Sequence, residues 1–166
     1  MTAKGKSKLA EITPRTAARI AAVQALYQMD MAGTDVNDVI AEFIEQRFEG
    51  DNRDEVLATA DRVFFADILR AVLRRQREID PMVDEQLAIG WSLVRVDSIL
   101  RAILRGGVAE LLDRDDVPAR VAINEYVNVA HVFFSEDEPR VVNGVLDKIA
   151  RRVRGHEFVR RVTPSS

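Results

Sequence analysis

The sequence predicts an all-α protein, on three observations. Apolar residues recur at spacings of three and four almost from end to end, which is the period of one helix face. No stretch alternates apolar with polar residues as a half-buried strand would. The breaks between periodic stretches carry helix punctuation, with proline or a capping Asp, Ser or Thr at the start and glycine or a polar loop at the end. At 166 residues the chain can bury a core without staples, as one domain or as two small subdomains sharing that core.

The elements follow in order. Residues 1–12 read as a disordered basic N-terminal extension. Thr13-Pro14 pairs an N-cap with proline at the first helical position. The helix after it aligns Ile20, Val23, Tyr27 and Met31 until Gly33 ends it. Asp35 caps a second helix, whose apolar set is Val36, Val39, Ile40, Phe43, Ile44 and Phe48; residues 49–53 form a loop. A third helix, about 54–78, buries Leu57, Val63, Phe64, Ile68, Leu69, Val72 and Leu73 and exposes Arg70, Arg74, Arg75 and Arg77. Asp80-Pro81 breaks it and starts a short fourth helix through Leu87. Gly90-Trp91 marks a turn with one bulky anchor.

The fifth helix, about 93–112, buries Val96, Ile99, Leu100, Ile103, Leu104, Val108 and Leu111. Its Gly106-Gly107 pair costs about 1 kcal/mol per glycine relative to alanine, which the close approach of a neighbouring helix explains. After a loop at 113–117, Pro118 opens the sixth helix, with Val121, Ala122, Tyr126, Val129 and Phe133 on its face. Ser135-x-x-Glu138 reads as a capping box for the seventh, which buries Val142, Val145, Leu146, Ile149 and Val153. About seven amphipathic helices on mostly short loops make a compact bundle. The helical domain spans 13–155, and 156–166 form a flexible basic tail.

Composition excludes several classes. Without cysteine there are no disulfides, thiolate metal sites or cysteine nucleophile, which suits a reducing compartment. No apolar run approaches the ~20 residues that span a bilayer, and the lysines of MTAKGKSKLAEITPR are not followed by the apolar stretch of a secretory signal. The chain reads as cytoplasmic, with no membrane partner. Its net charge is −3, unevenly spread. Lys4, Lys6, Lys8, Arg15 and Arg19 against Glu11 make the first 25 residues basic. Lys148, Arg151, Arg152, Arg154, Arg160 and Arg161 against Asp147 and Glu157 do the same for the last 20, on an acidic body. Two basic ends form one basic face only if they meet in space; otherwise they are solvated termini.

Catalytic constellations are sparse. His131 and His156 lie far apart and lack metal-ligand spacing. Asp113, Asp115 and Asp116 are the best metal suspects, but they lack the spacing of a calcium loop and read better as a solvated loop whose charge suits the next helix's N-terminus. Trp91 reads as a core anchor. No catalytic residue, metal or cofactor is expected. For RNA there are two features. Arg15 and Arg19, four apart, share a helix face from which both could reach phosphates. Phe133-Phe134-Ser135 places aromatics beside Arg140, a pairing that can stack on unpaired bases.

The segment VPARVAINEYVNVAHVFF…VVNGVLDKIA resembles the NusB transcription-antitermination family, as do AVQALYQMD near the start, WSLVR from Trp91 to Arg95, and AILR from Ala102 to Arg105. The likeness covers roughly 14–154, with the pieces in the family's order and spacing. On physical grounds these motifs hold the fold: Asn124 and Asn143 are placed to bond backbone groups, Gly144 permits close helix approach, and Leu146 and Ile149 pack. The resemblance implies an all-helical NusB-like fold of two small bundles. It also implies binding of boxA-type single-stranded RNA together with the small-subunit ribosomal protein NusE. The complex would act on the RNA polymerase elongation complex with other Nus factors, notably in ribosomal RNA operons. Carried over residue by residue, the RNA-binding candidates are Arg15, Arg19, Phe133, Phe134, Asp137 and Arg140. The partner-binding candidates are Tyr27, Arg101 and Arg105, and a homodimer over the partner's face is compatible with the resemblance. Four features depart from the family pattern: Thr16, Ala17 and Ala18 separate two arginines where a dense N-terminal arginine cluster is usual, Val141 stands where an aromatic is usual at an RNA-facing position, Ala109 where a tyrosine is common, and Leu100 where an acidic residue is. Two other readings stand beside this one, a helical protein-interaction scaffold with weakened RNA binding and an accessory domain of an RNA methyltransferase system.

Overall fold

A computed structural model describes residues 12–90 and 97–159. The expected disorder of the basic N-terminal extension, the WSLVR segment with Trp91 and Val96, and the tail arginines Arg160 and Arg161 lie outside the described residues.

Six α-helices are present among the described residues: α1 (Pro14–Ala32), α2 (Val36–Glu42), α3 (Arg62–Gly90), α4 (Ser98–Asp113), α5 (Ala119–Phe133) and α6 (Glu138–Val153). No helix among them is long and apolar enough to cross a membrane. The caps of the first two helices are as expected. The Thr13 hydroxyl accepts from the Thr16 amide at 3.1 Å, Gly33 closes α1 in the left-handed region at φ 67°, and Asp35 accepts from the Asn37 amide at 3.0 Å.

Several sequence expectations are corrected. The third helix starts at Arg62, not near 54, because Asp54 bonds the Val56 and Leu57 amides and Asp61 caps through the Phe64 amide at 3.0 Å. In that register Val63 faces solvent at 72% exposure, while Phe64, Ile68, Leu69 and Val72 are buried and Leu73 lies at the rim. Pro81 does not break the helix. The carbonyl it leaves without a donor belongs to exposed Arg77, where water can serve, and buried Ile79, Val83 and Leu87 fasten both sides of it to the core. The expected third and fourth helices are therefore one.

The Ser135–Glu138 capping box does not form. With Ser135 as the cap, Pro139 would fall where an amide must give the first helical hydrogen bond. The helix starts instead at Asp137, whose carbonyl accepts from the Val141 amide at 3.1 Å. On α5, Val121 is 45% exposed, since the buried line is Ala119, Ala122, Ile123, Tyr126 and Val129.

The second helix changes pitch at Phe43, where a π-helical turn carries it to Phe48. A five-residue spacing then shares one face, and both rings reach Phe65, at 5.6 Å stacked and 5.1 Å edge-on.

Helix α4 is the hub, packing against α1, α3, α5 and α6. Gly106 to Leu111 are buried without a break, so no azimuth of α4 is free there. The glycine pair lets two neighbours in. A Cβ on Gly106 would lie 2.9 Å from the Tyr126 ring, and one on Gly107 2.7 Å from Leu146 Cδ1.

A candidate RNA and partner interface along α1

Arg15 and Arg19 sit one turn apart on α1, yet only Arg15 is available to a ligand. Its side chain is 42% exposed, lies over the Phe64 ring at 4.5 Å and meets Asp116 at 3.4 Å. Arg19 is buried at 3%. It donates from Nε and Nη2 to the two Glu110 oxygens at 2.8 and 2.9 Å, with Glu125 at 3.4 Å from Nη1. Burial alone would lower its pKa, but the Glu110 hydrogen bonds and charge reverse this and raise it. The expectation that both arginines reach phosphates is corrected for Arg19. Every side of α1 is buried from Ala17 to Val23, so Arg19, one turn further along than Arg15, lies inside the core, where α4 and α5 each supply a carboxylate.

The loop at 113–117, DRDDV in sequence, joins the two ends of the chain. Beside Arg15, Arg114 also lies over Phe64, at 4.9 Å, and its Nη2 donates to the same Asp116 oxygen at 3.1 Å. Burial would raise the Asp116 carboxyl, but the Arg114 charge and the Arg15 hydrogen bond outweigh it and hold it below the usual carboxylate range. On the other flank, Arg154 of the C-terminal region is 4% exposed. It donates to the Glu110, Leu111, Arg114 and Val117 carbonyls and to Glu157. Glu157 in turn accepts from the Ala119 amide at 2.9 Å. Asp113 is held by Arg74 and Arg75, at 2.7 and 2.6 Å. These carboxylates face arginines rather than one another, and no acidic cluster suited to a metal ion is present among the described residues.

The other end of α1 lies about 18 Å away along the helix. There Tyr27 and Phe133 line one groove of ≈ 370 Å³ with Val23, Met31, Arg47 and Ile99. Tyr27 is 38% and Met31 63% exposed. Beyond Phe133 the chain turns through half-buried Phe134 to Asp137 and Arg140, both exposed. Val141 corrects an expectation: it is 0% exposed and packs in the core, so it does not face RNA. Ala109 and Leu100 are likewise buried. These three departures from the family pattern are thus inside the protein, as are Ala17 and Ala18 between the two arginines.

Arg101 and Arg105 reach α3. Arg101 meets Asp84 at 2.9 Å. Arg105, 12% exposed, makes a two-bonded pair with Asp80 at 2.9 and 3.0 Å and lies 3.5 Å from Asp30 of α1. Its pKa is raised, first by the Asp80 hydrogen bonds. Asn124 and Asn143 are exposed, and neither donates to nor accepts from the backbone of a described residue.

Sequence reasoning missed Glu110, Arg114 and Arg154. Glu110 left a signal, since an acid in the apolar run Val108-Ala109-Glu110-Leu111-Leu112 needs a buried partner.

The model of the NusB family matches residues 16–151. A protein of Rhodopseudomonas palustris named transcription antitermination protein NusB is 50% identical over 96% of this chain and 90% of its own. Among solved structures, T. maritima NusB superposes with a TM-score of 0.69 at 27% identity, over 88% of this chain and 97% of that one. A structure of antitermination factors NusB and NusE in complex with dsRNA shares the fold at a TM-score of 0.64 and 24% identity, over 82% of this chain and 96% of that one.

Proposed function

The chain belongs to the NusB family, and on that premise we propose that it is a transcription antitermination factor, a binding protein rather than an enzyme. It binds boxA-type single-stranded RNA together with the ribosomal protein NusE and delivers both to elongating RNA polymerase, work that places it in the cytoplasm. The observation that carries this reading is the family match across residues 16–151, reinforced by the name of a relative identical at half its positions.

The RNA contacts lie at the two ends of α1, whose turns from Ala17 to Val23 are buried between them. Arg15 contacts phosphate at one end, and Phe133, Phe134, Asp137 and Arg140 form the other. The NusE surface comprises Tyr27 and the adjoining ends of α3 and α4. Arg101 is available there by exchange of its exposed pair with Asp84, whereas Arg105 serves mainly to hold α4 on α3. Because the protein's own charge is −3, RNA affinity is modest alone and rises with the partner bound. Its dependence on salt is shallow, since only a few phosphates are neutralised.

Titration of a labelled boxA-type RNA with the chain, alone and with NusE, across salt concentrations tests the reading. No binding at low salt with NusE present would overturn the function and leave the fold untouched.

A further inference from the structure

We propose that Asp116 occupies the place of an RNA phosphate between Arg15 and Arg114, so that RNA engages this face by displacing its carboxylate. This rests on the RNA-binding reading of Arg15. One oxygen of Asp116 lies 3.4 Å from Arg15 Nη1 and 3.1 Å from Arg114 Nη2. The two guanidiniums come from distant parts of the chain and are both held on the Phe64 ring, at 4.5 and 4.9 Å. A carboxylate bridging two such forks presents the same anionic oxygens as a phosphodiester.

The surroundings permit the exchange. The side chains of Arg15 and Asp116 are 42% and 53% exposed, and an exposed ion pair adds little to stability. Arg114 Nη1 also lies 3.6 Å from the half-exposed Asp67, and the Arg114 Nε–H meets no acceptor among the described residues. Arg19, the third guanidinium at the ring, is taken by Glu110 and does not compete. RNA arriving at Arg15 therefore meets a site already filled by the protein's own anion, which weakens binding until a phosphate displaces it. The acidic loop that looked like a metal suspect acts in this way as an internal competitor.

Anisotropy titrations of a single-stranded boxA-type oligonucleotide, using the full chain with NusE, test this. Asp116→Asn keeps the shape and removes the charge. It is expected to tighten binding about 3–5-fold at low salt, the equivalent of one exposed ion pair, and the gain should vanish in an Arg15→Ala background. Asp116→Ser repeats the test should asparagine perturb the loop, with thermal unfolding to confirm that each variant folds. Asp115→Asn controls for net charge, since Asp115 is 95% exposed and 3.9 Å from Arg154, and should leave affinity unchanged. Unchanged binding by both Asp116 variants while Arg15→Ala weakens it would overturn the displacement and keep the RNA site. A gain that persists without Arg15, or that Asp115→Asn reproduces, would also overturn it as a bulk charge effect. Loss of all RNA binding by the unaltered chain with NusE would remove the functional reading itself, and the proposal with it.

Discussion

Arg19 and Arg15 are separated by one turn of α1 and do opposite work. Arg19 faces α4 and α5, is sealed from water and is neutralised by Glu110. Arg15 faces the edge of the DRDDV loop, stays half in water and shares its partner with Arg114. Residue type and local sequence do not separate them. What does is which carboxylate a distant helix brings up to each, and how much water remains. A basic stripe read from spacing alone thus mixes cations that hold the fold with cations a ligand can reach.

The sharpest way to break the comparison is Glu110→Ala. It strands the Arg19 charge in the core with only Glu125 nearby, and losing one partner of a buried pair costs about 3–5 kcal/mol. Urea unfolding should show that loss, and RNA affinity per folded molecule should stay the same. A cost near that of a surface substitution would mean that Arg19 escapes to solvent and that the two arginines are not different in kind.

Arg154→Ala extends the buried side of the comparison to a region the ends share. The Glu110 and Arg114 carbonyls keep the Arg114 and Val117 amides as donors, but those of Leu111 and Val117 lose the one donor they have among the described residues, and two stranded buried acceptors cost on the order of 3 kcal/mol together. The expected signature in hydrogen exchange is faster opening of residues 111–118 before the rest of the bundle.

Arg105 stands between the extremes, and its pair makes stability depend on pH. Burial alone would raise the Asp80 carboxyl, but the Arg105 hydrogen bonds and charge outweigh it and hold it below its usual value. A folded pKa below the unfolded one contributes stability that is complete above about pH 4 and is lost as pH falls through the folded value. Asp80→Asn should cost about 1 kcal/mol at pH 7 after solvent screening, and the difference from the unaltered chain should shrink in acid. Unfolding curves at pH 7 and pH 3 that keep the same gap would show that the pair is not the source.

Most of the fold was legible because helix periodicity and caps are local. Thr13-Pro14, Gly33 and Asp35 act through neighbours one to four residues away, and the glycine pair correctly announced a close helix approach. The misses needed information from elsewhere in the chain. Pro81 stays helical because Ile79 and Val83 are held by the core, and Ser135 loses its cap to a proline whose amide the helix would have required. The candidate site was less legible. Tyr27 and Phe133 do share a groove, but Arg19, Arg105 and Val141 take their surroundings from α3, α4 and α5, which no spacing within one helix could reveal.

Arg15→Ala is the smallest expected change in stability and the one most specific to function. Its ion pair is exposed and its partner keeps Arg114, so unfolding free energy should shift by no more than about 0.5 kcal/mol. Its contribution to RNA binding is a phosphate contact, which carries no base information. Affinity should therefore fall by a similar factor for boxA-type and scrambled RNA, and the dependence of log affinity on log salt should flatten by about 0.7, one single-strand phosphate. A loss confined to boxA RNA would instead put Arg15 on a base edge, and a large loss of stability would move it to the structural side with Arg19.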